Sequence, residues 1–190
     1  MRLKDTPTGY GWISILLHWI TAILILVMLF VGNSIEAVGG SVRIEAINLH
    51  TSIGLSAYVL LLGRIVWRFA YGHPGPQEGQ QGVFYVIGKW VHYIMLVALG
   101  VMIVTGPVMA WASGLDIAVF DWLTIPASAV PNYPLRDALH VVHRFCAIVL
   151  FVGFLLHLGG VYKHTAFNRD GTFIKMIIPE RTRGGAEKTG

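Results

Sequence analysis

The chain has 190 residues, 55% hydrophobic and only 13% charged, where an ordinary soluble domain carries about 25% charged residues. With a mean hydropathy of +0.64, this excludes a cytosolic globule, a disordered tail and a nucleic-acid binder, and leaves the net charge of +4 informative only through its placement. A single cysteine, Cys146, excludes a disulfide framework, an iron–sulfur centre, a Cys-based zinc site and covalent haem attachment through C-x-x-C-H.

A bilayer core of ~30 Å asks for about 20 apolar residues in a helix. The first such run covers 12–32 and holds no charge. Arg2 and Lys4 give it a basic start, but its length exceeds a signal peptide's apolar region and no A-x-A-like site follows, so it reads as a retained helix. The second run covers 46–69, uncharged until Arg64 and Arg68. The third covers 83–112, where Gly106-Pro107 predicts a kink. The fourth covers 138–162 and is interrupted only by Arg144. Polar or Gly/Pro-rich joints at 33–45, 71–82 and 113–137 separate the runs, the second containing H-P-G-P, and a tail follows at 163–190. Trp12, Trp19, Trp67, Trp90, Trp111 and Trp122 fall near the run ends, as interfacial aromatic belts do. The expectation is an all-α protein, one four-helix transmembrane bundle without repeats.

An even number of spans puts both termini on one side. Eleven of the fourteen basic residues fall there: Arg2, Lys4, Arg64, Arg68, Lys89, Lys163, Arg169, Lys175, Arg181, Arg183 and Lys188. Arg43, Arg136 and Arg144 fall on the other, with Glu36, Glu45, Asp116, Asp121 and Asp137. The bias predicts cytoplasmic termini and an acidic opposite face.

The histidines carry most of the chemistry. His143 and His157 are separated by ~1400° of helix rotation, close to four whole turns, so they share a face ~21 Å apart in depth. His164 returns to that stripe at the cytoplasmic interface, whereas His140 leaves it and belongs at the membrane surface. His18 lies ~9 Å in from the cytoplasmic side, and His50 is shallow on the opposite side. Depth alone therefore matches His18 with His157 and His50 with His143.

Two stacked histidine pairs are what bis-histidine haem b needs, because each iron takes one imidazole from each face of the macrocycle. An apolar four-helix interior supplies the slot. Gly54, one turn after His50, leaves room for a flat ring. Arg64 faces the same way one haem layer deeper, where a propionate would answer its charge. A zinc site would have only two ligands per depth. A proton relay would not need matched depths, and isolated membrane histidines also serve as structural hydrogen-bonding residues. Cys146 reads as packing.

The sequence also resembles the bacterial cytochrome b561 family over nearly its whole length, from Ile13 to Pro179. The resemblance rests on I-S-I-L-L-H-W around His18, I-N-L-H-T-S-I-G around His50, H-R-F and G-F-L-L-H at His143 and His157, and K-H with R-D-G-T-F-I-K-M in the tail. It implies two non-covalent haems b on the same four histidines, in a multi-pass protein of the bacterial inner membrane. It further implies electron exchange between the quinone pool, ubiquinone in particular, and a periplasmic partner. Some members are implicated in oxidising superoxide. His92 reads as a surface-facing residue or a quinone contact, with a competing haem ligand as the alternative, and His164 as a quinone or proton-carrying group or a plain interfacial histidine. Lys89 and Lys163 join them as candidate quinone-site residues at the cytoplasmic end. On the far side, a basic cytochrome suits the acidic loops, and superoxide would need Arg43, Arg136 and Arg144 clustered. The chain is either a self-standing oxidoreductase or a membrane anchor relaying electrons for a larger complex, since no G-x-G-x-x-G or Walker pattern opens a helix.

Overall fold

The computed structural model describes residues 2–72, 75, 82–120 and 122–179. Asp121, Arg181, Arg183 and Lys188 of the charge count, and most of the H-P-G-P joint, lie outside the described residues. Four long helices dominate: α1 (Trp12–Ala37), α2 (Gly40–Tyr71), α3 (Val83–Ala112) and α4 (Tyr133–Tyr162). Each is long and apolar enough to cross a membrane, and only 17% of each most apolar window is buried inside the bundle. What remains outside includes Phe30, Val59 and Phe145, a surface that water would not tolerate and lipid does.

α3 covers 83–112 as expected, whereas α1, α2 and α4 outrun their apolar runs for local reasons. α4 begins five residues before the expected position because the Asn132 side chain accepts the Leu135 N–H at 3.1 Å and Pro134 occupies the first turn. Such a cap contributes ~1 kcal/mol and needs no apolar residue to do so. α2 starts at Gly40 through the polar turn Ser41–Glu45, and α1 continues to Ala37. Hydropathy marks the hydrocarbon core, whereas helices extend into the headgroup layer.

α1 packs chiefly on α2, and α3 on α4, with α2 and α3 joining the two pairs. The core is small: Ala57 and Leu61 of α2, Ala98, Leu99 and Ile103 of α3, and Cys146 and Leu150 of α4. α4 approaches α3 more closely than it approaches α1 or α2, and it shares the core with α2 through Cys146 and Leu150. Pro107 sits inside α3 without ending it.

Two elements have no counterpart in the sequence reading. The joint after α3 folds as a hairpin, β1 (Ile117–Val119) against β2 (Leu123–Ile125), antiparallel with Ala118 opposite Thr124. Ser52, buried on α2, clamps it: the Ser52 hydroxyl donates to Ala118 O and accepts from Phe120 N, both at 3.0 Å. After α4 the chain makes a π-helical turn, Lys163–Asn168, and a short α5 (Thr172–Lys175). This segment returns beneath α1, where Trp19 Nε1 donates to Met176 O at 2.6 Å and Lys175 Nζ to Thr8 O at 2.8 Å. The described N- and C-terminal segments thus meet at one end of the bundle, here termed the terminal end.

Candidate functional site

Helices α1, α2 and α4 bring four histidines into two pairs. The rings of His18 and His157 stand 6.1 Å apart between centroids, and those of His50 and His143 stand 6.3 Å apart. Two metal–nitrogen bonds of ~2 Å and two ring radii of ~1 Å put imidazoles on opposite sides of one metal ion roughly 6 Å apart. Both pairs match that span. His92 of α3 is closer to His157, at 4.9 Å, which is too short for such an arrangement. Its Nδ1–H donates to Gly88 O at 2.7 Å, one turn back on its own helix. No three His, Cys, Asp or Glu side chains cluster among the described residues, so each site offers two ligands and no more.

The far pair is held from behind. Thr105 of α3 donates its hydroxyl proton to Val101 O at 2.9 Å, and its oxygen lies 3.0 Å from His143 Nδ1. The hydroxyl therefore accepts the Nδ1–H and leaves Nε2 as the ligating nitrogen. The rings also press on backbone. A Cβ at Gly32 would come within 3.1 Å of His50 Cε1, and one at Gly106 within 3.4 Å of His143 Cε1. Nothing in the sequence marks Gly32, and Gly106 next to Pro107 signals only a kink. A side chain at Gly32 would press on the His50 ring, whereas a Cβ at Gly106 would touch the His143 ring at an ordinary contact distance. Gly54 faces Met28 Cε at 3.1 Å instead, a flexible chain end.

At the terminal end, Arg64 Nη2 donates to His18 Nδ1 at 3.2 Å. Arginine is donor-only, so His18 accepts here and carries its own proton on Nε2. Arg64 Nη1 is buried without a hydrogen-bond partner in the described structure, as is His50 Nδ1. A buried guanidinium group lacking a bond calls for an anion. Beside it, Arg64, Arg68, Lys89, His92 and Tyr93 line a cavity of about 210 Å³ between α2 and α3. Arg68 lies over the Tyr10 ring. Burial raises the Tyr10 phenol above its ordinary value, with the Arg68 charge pulling the other way.

The four residues expected around a quinone are thereby divided. Lys89 and His92 line the cavity, whereas Lys163 and His164 sit on the π-helical turn. Lys163 Nζ lies over the Phe84 ring and donates to Asn168, and His164 contacts Asp170. The far-end arginines are also spoken for. Arg144 and His140 both reach Glu36, at 3.2 and 3.3 Å, Arg136 pairs with Asp137 at 2.7 Å, and Arg43 donates to Ile35 O. Cys146 lies buried in the core.

A lipid-facing four-helix bundle with two imidazole pairs between its helices has the architecture of a membrane b-type cytochrome. The family model described as prokaryotic cytochrome b561 matches residues 9–178. The chain belongs to that family, which implies haem b and electron transfer in a bacterial multi-pass membrane protein. It is 28% identical to cytochrome b561 homolog 2 of Escherichia coli over 183 residues, 93% of this chain and 95% of that protein. It is 26% identical to the probable superoxide oxidase CybB of Yersinia pestis, over 90% of this chain and 97% of that one. A shorter match, 34% identical over 120 residues, links it to cytochrome b562 of Cereibacter sphaeroides, covering 56% and 72% of the two chains.

Proposed function

We propose that the chain holds two haems b, one between His18 and His157 and one between His50 and His143. It carries electrons across the bacterial inner membrane between a quinone at the cytoplasmic, terminal end and a periplasmic donor. One observation carries this reading: two imidazole pairs in one bundle, each with the 6.1 or 6.3 Å separation that two ligands of one iron require. The 4.9 Å contact supports His18, not His92, as the partner of His157. Pyridine haemochrome analysis of the purified chain tests it. Two haems b per chain are expected, and one or none defeats the reading.

Bound in these slots, the haems supply one-electron couples within an apolar medium. The protein's share is to hold and bias them. Thr105 keeps the His143 Nδ1–H engaged, which raises the basicity of Nε2 and favours the oxidised iron. Thr105→Val should therefore raise the potential of the far haem by tens of millivolts, on the order expected for loss of one outer-shell bond. A redox titration in which that step does not move would show that the hydroxyl has no such role. Arg64 must release His18 Nδ1 before His18 can ligate through Nε2, and a propionate at Nη1 is the anion that would draw it away.

Superoxide is the donor suggested by the name of the Yersinia pestis relative. Two superoxide anions each give up one electron and leave as dioxygen, and the quinone takes both electrons with two protons. Capture of an anion is faster where positive charge is concentrated. Glu36 neutralises the Arg144 charge next along the chain to His143, and it also reaches His140. Glu36→Gln should speed haem reduction by superoxide several-fold at low salt, and the gain should vanish beyond ~1 M salt as screening closes in. Stopped-flow mixing measures this. A slow, salt-insensitive reaction in both proteins would remove superoxide as donor and favour a basic protein drawn to the acidic loops.

A further inference from the structure

Beyond α4 the backbone widens into the π-helical turn Lys163–Asn168 and reverses through Arg169, whose φ is 52°. π turns are rare and recur at functional sites. This one swings Asp170 back beneath His164, with Oδ2 lying 2.6 Å from Nδ1. The carboxylate is itself fixed. Oδ1 accepts from Thr172 N at 3.0 Å and from the Thr172 hydroxyl at 2.6 Å, and Asn168 Nδ2 reaches Oδ2 at 3.5 Å. The pair is only 30% and 15% exposed, so water competes little for its bond. With Oδ1 engaged by Thr172, Oδ2 accepts the Nδ1–H of His164. That fixes the tautomer, and Nε2 becomes the atom that gives or takes a proton. His164 stands seven residues beyond His157, on the π-helical turn that continues from the end of α4. Neighbouring amines are held elsewhere, Lys163 by Phe84 and Asn168 and Lys175 by Thr8 O.

We propose that Asp170 is a positioning residue that holds His164 as proton donor to a quinone carbonyl at the terminal end. The proposal rests on the quinone reading above. A haem held by His18 and His157 would supply the two electrons, one at a time. As one carbonyl oxygen becomes a hydroxyl, the Nε2–H bond of the His164 imidazolium breaks and its electron pair returns to the ring. The second proton comes from water, which also reprotonates the imidazole. Asp170 stays ionised throughout and stabilises the imidazolium.

The test uses the haem-loaded protein, reduced beforehand and mixed with decylubiquinone. Asp170→Asn should slow haem reoxidation by about 10-fold or more, without changing haem content or the half-saturating quinone concentration. Asp170→Glu should recover much of the rate. His164→Gln should be at least as slow, and Asp170→Asn added to it should cost nothing further, because both act through one group. Independently of turnover, 15N spectra of histidine-labelled protein should show His164 protonated on Nδ1, and that signature should be lost in Asp170→Asn. An unchanged signature, or a normal rate in Asp170→Asn beside a slow His164→Gln, overturns the role of Asp170 while leaving the quinone site in place. Normal rates in both variants overturn the quinone reading at this end.

Discussion

Replacing His157 by Gly should remove one haem and leave the other, halving the haemochrome yield and erasing one step of the redox titration. His18→Gly should give the same product, because the two imidazoles stand on opposite sides of one slot, 6.1 Å apart. His50→Gly and His143→Gly should erase the other step. His92→Gly should keep both haems, since a ring 4.9 Å from His157 leaves no room for an iron between them. The expected loss is essentially complete at each site, because an apolar slot with one ligand retains little hold on the metal. Adding imidazole to His157→Gly should restore the missing spectrum, which separates a lost ligand from a collapsed bundle. Retention of both haems in His18→Gly together with loss in His92→Gly would reverse the assignment.

Arg64→Met should have opposite effects on the empty and the loaded protein. Without haem, Arg64 Nη1 is buried and lacks a hydrogen bond. A long apolar side chain of similar reach removes that cost, so the empty bundle should be as stable or more stable to heat. With haem bound, the same change removes a positive charge from the terminal-end slot. Adding an electron there becomes harder, and the potential of that haem should fall by tens of millivolts, the scale of one charge at an effective dielectric of ~20. The far haem should hardly respond, since it lies a full layer away. Redox titration alongside thermal melting of both forms measures the pair of effects. An unmoved potential would mean that the anion partner of Arg64 is not a haem propionate.

The helices and their membrane character are legible in the chain because both rest on local, periodic properties. Uncharged runs of about 20 residues have one stable solution in lipid, and a fixed rise of 1.5 Å per residue turns sequence spacing into depth. That is why His18 and His157, or His50 and His143, can be matched from numbering alone. The same logic underestimates helix ends. Asn132 and Pro134 start α4 by capping chemistry that carries no hydropathy signal, although an Asn followed by an early Pro is itself a readable mark.

Contacts between distant segments were a different matter. Nothing near Ser52 in sequence indicates that its hydroxyl would hold Ala118 and Phe120, 66 and 68 residues away. In sequence Thr105 is one more small residue of an apolar helix, and only the packing of α3 on α4 places it 3.0 Å from His143. Gly32 and Gly106 likewise acquire meaning only where an imidazole from another helix comes up against their backbone. Loop charge counts leave Arg144 and Arg136 free, but the fold sets Glu36 and Asp137 against them. Depth follows from distance along one helix, a one-dimensional quantity written in the chain. Ring separation, outer-shell hydrogen bonds and the choice between His18 and His92 depend on how helices rotate and approach one another, and packing alone sets those.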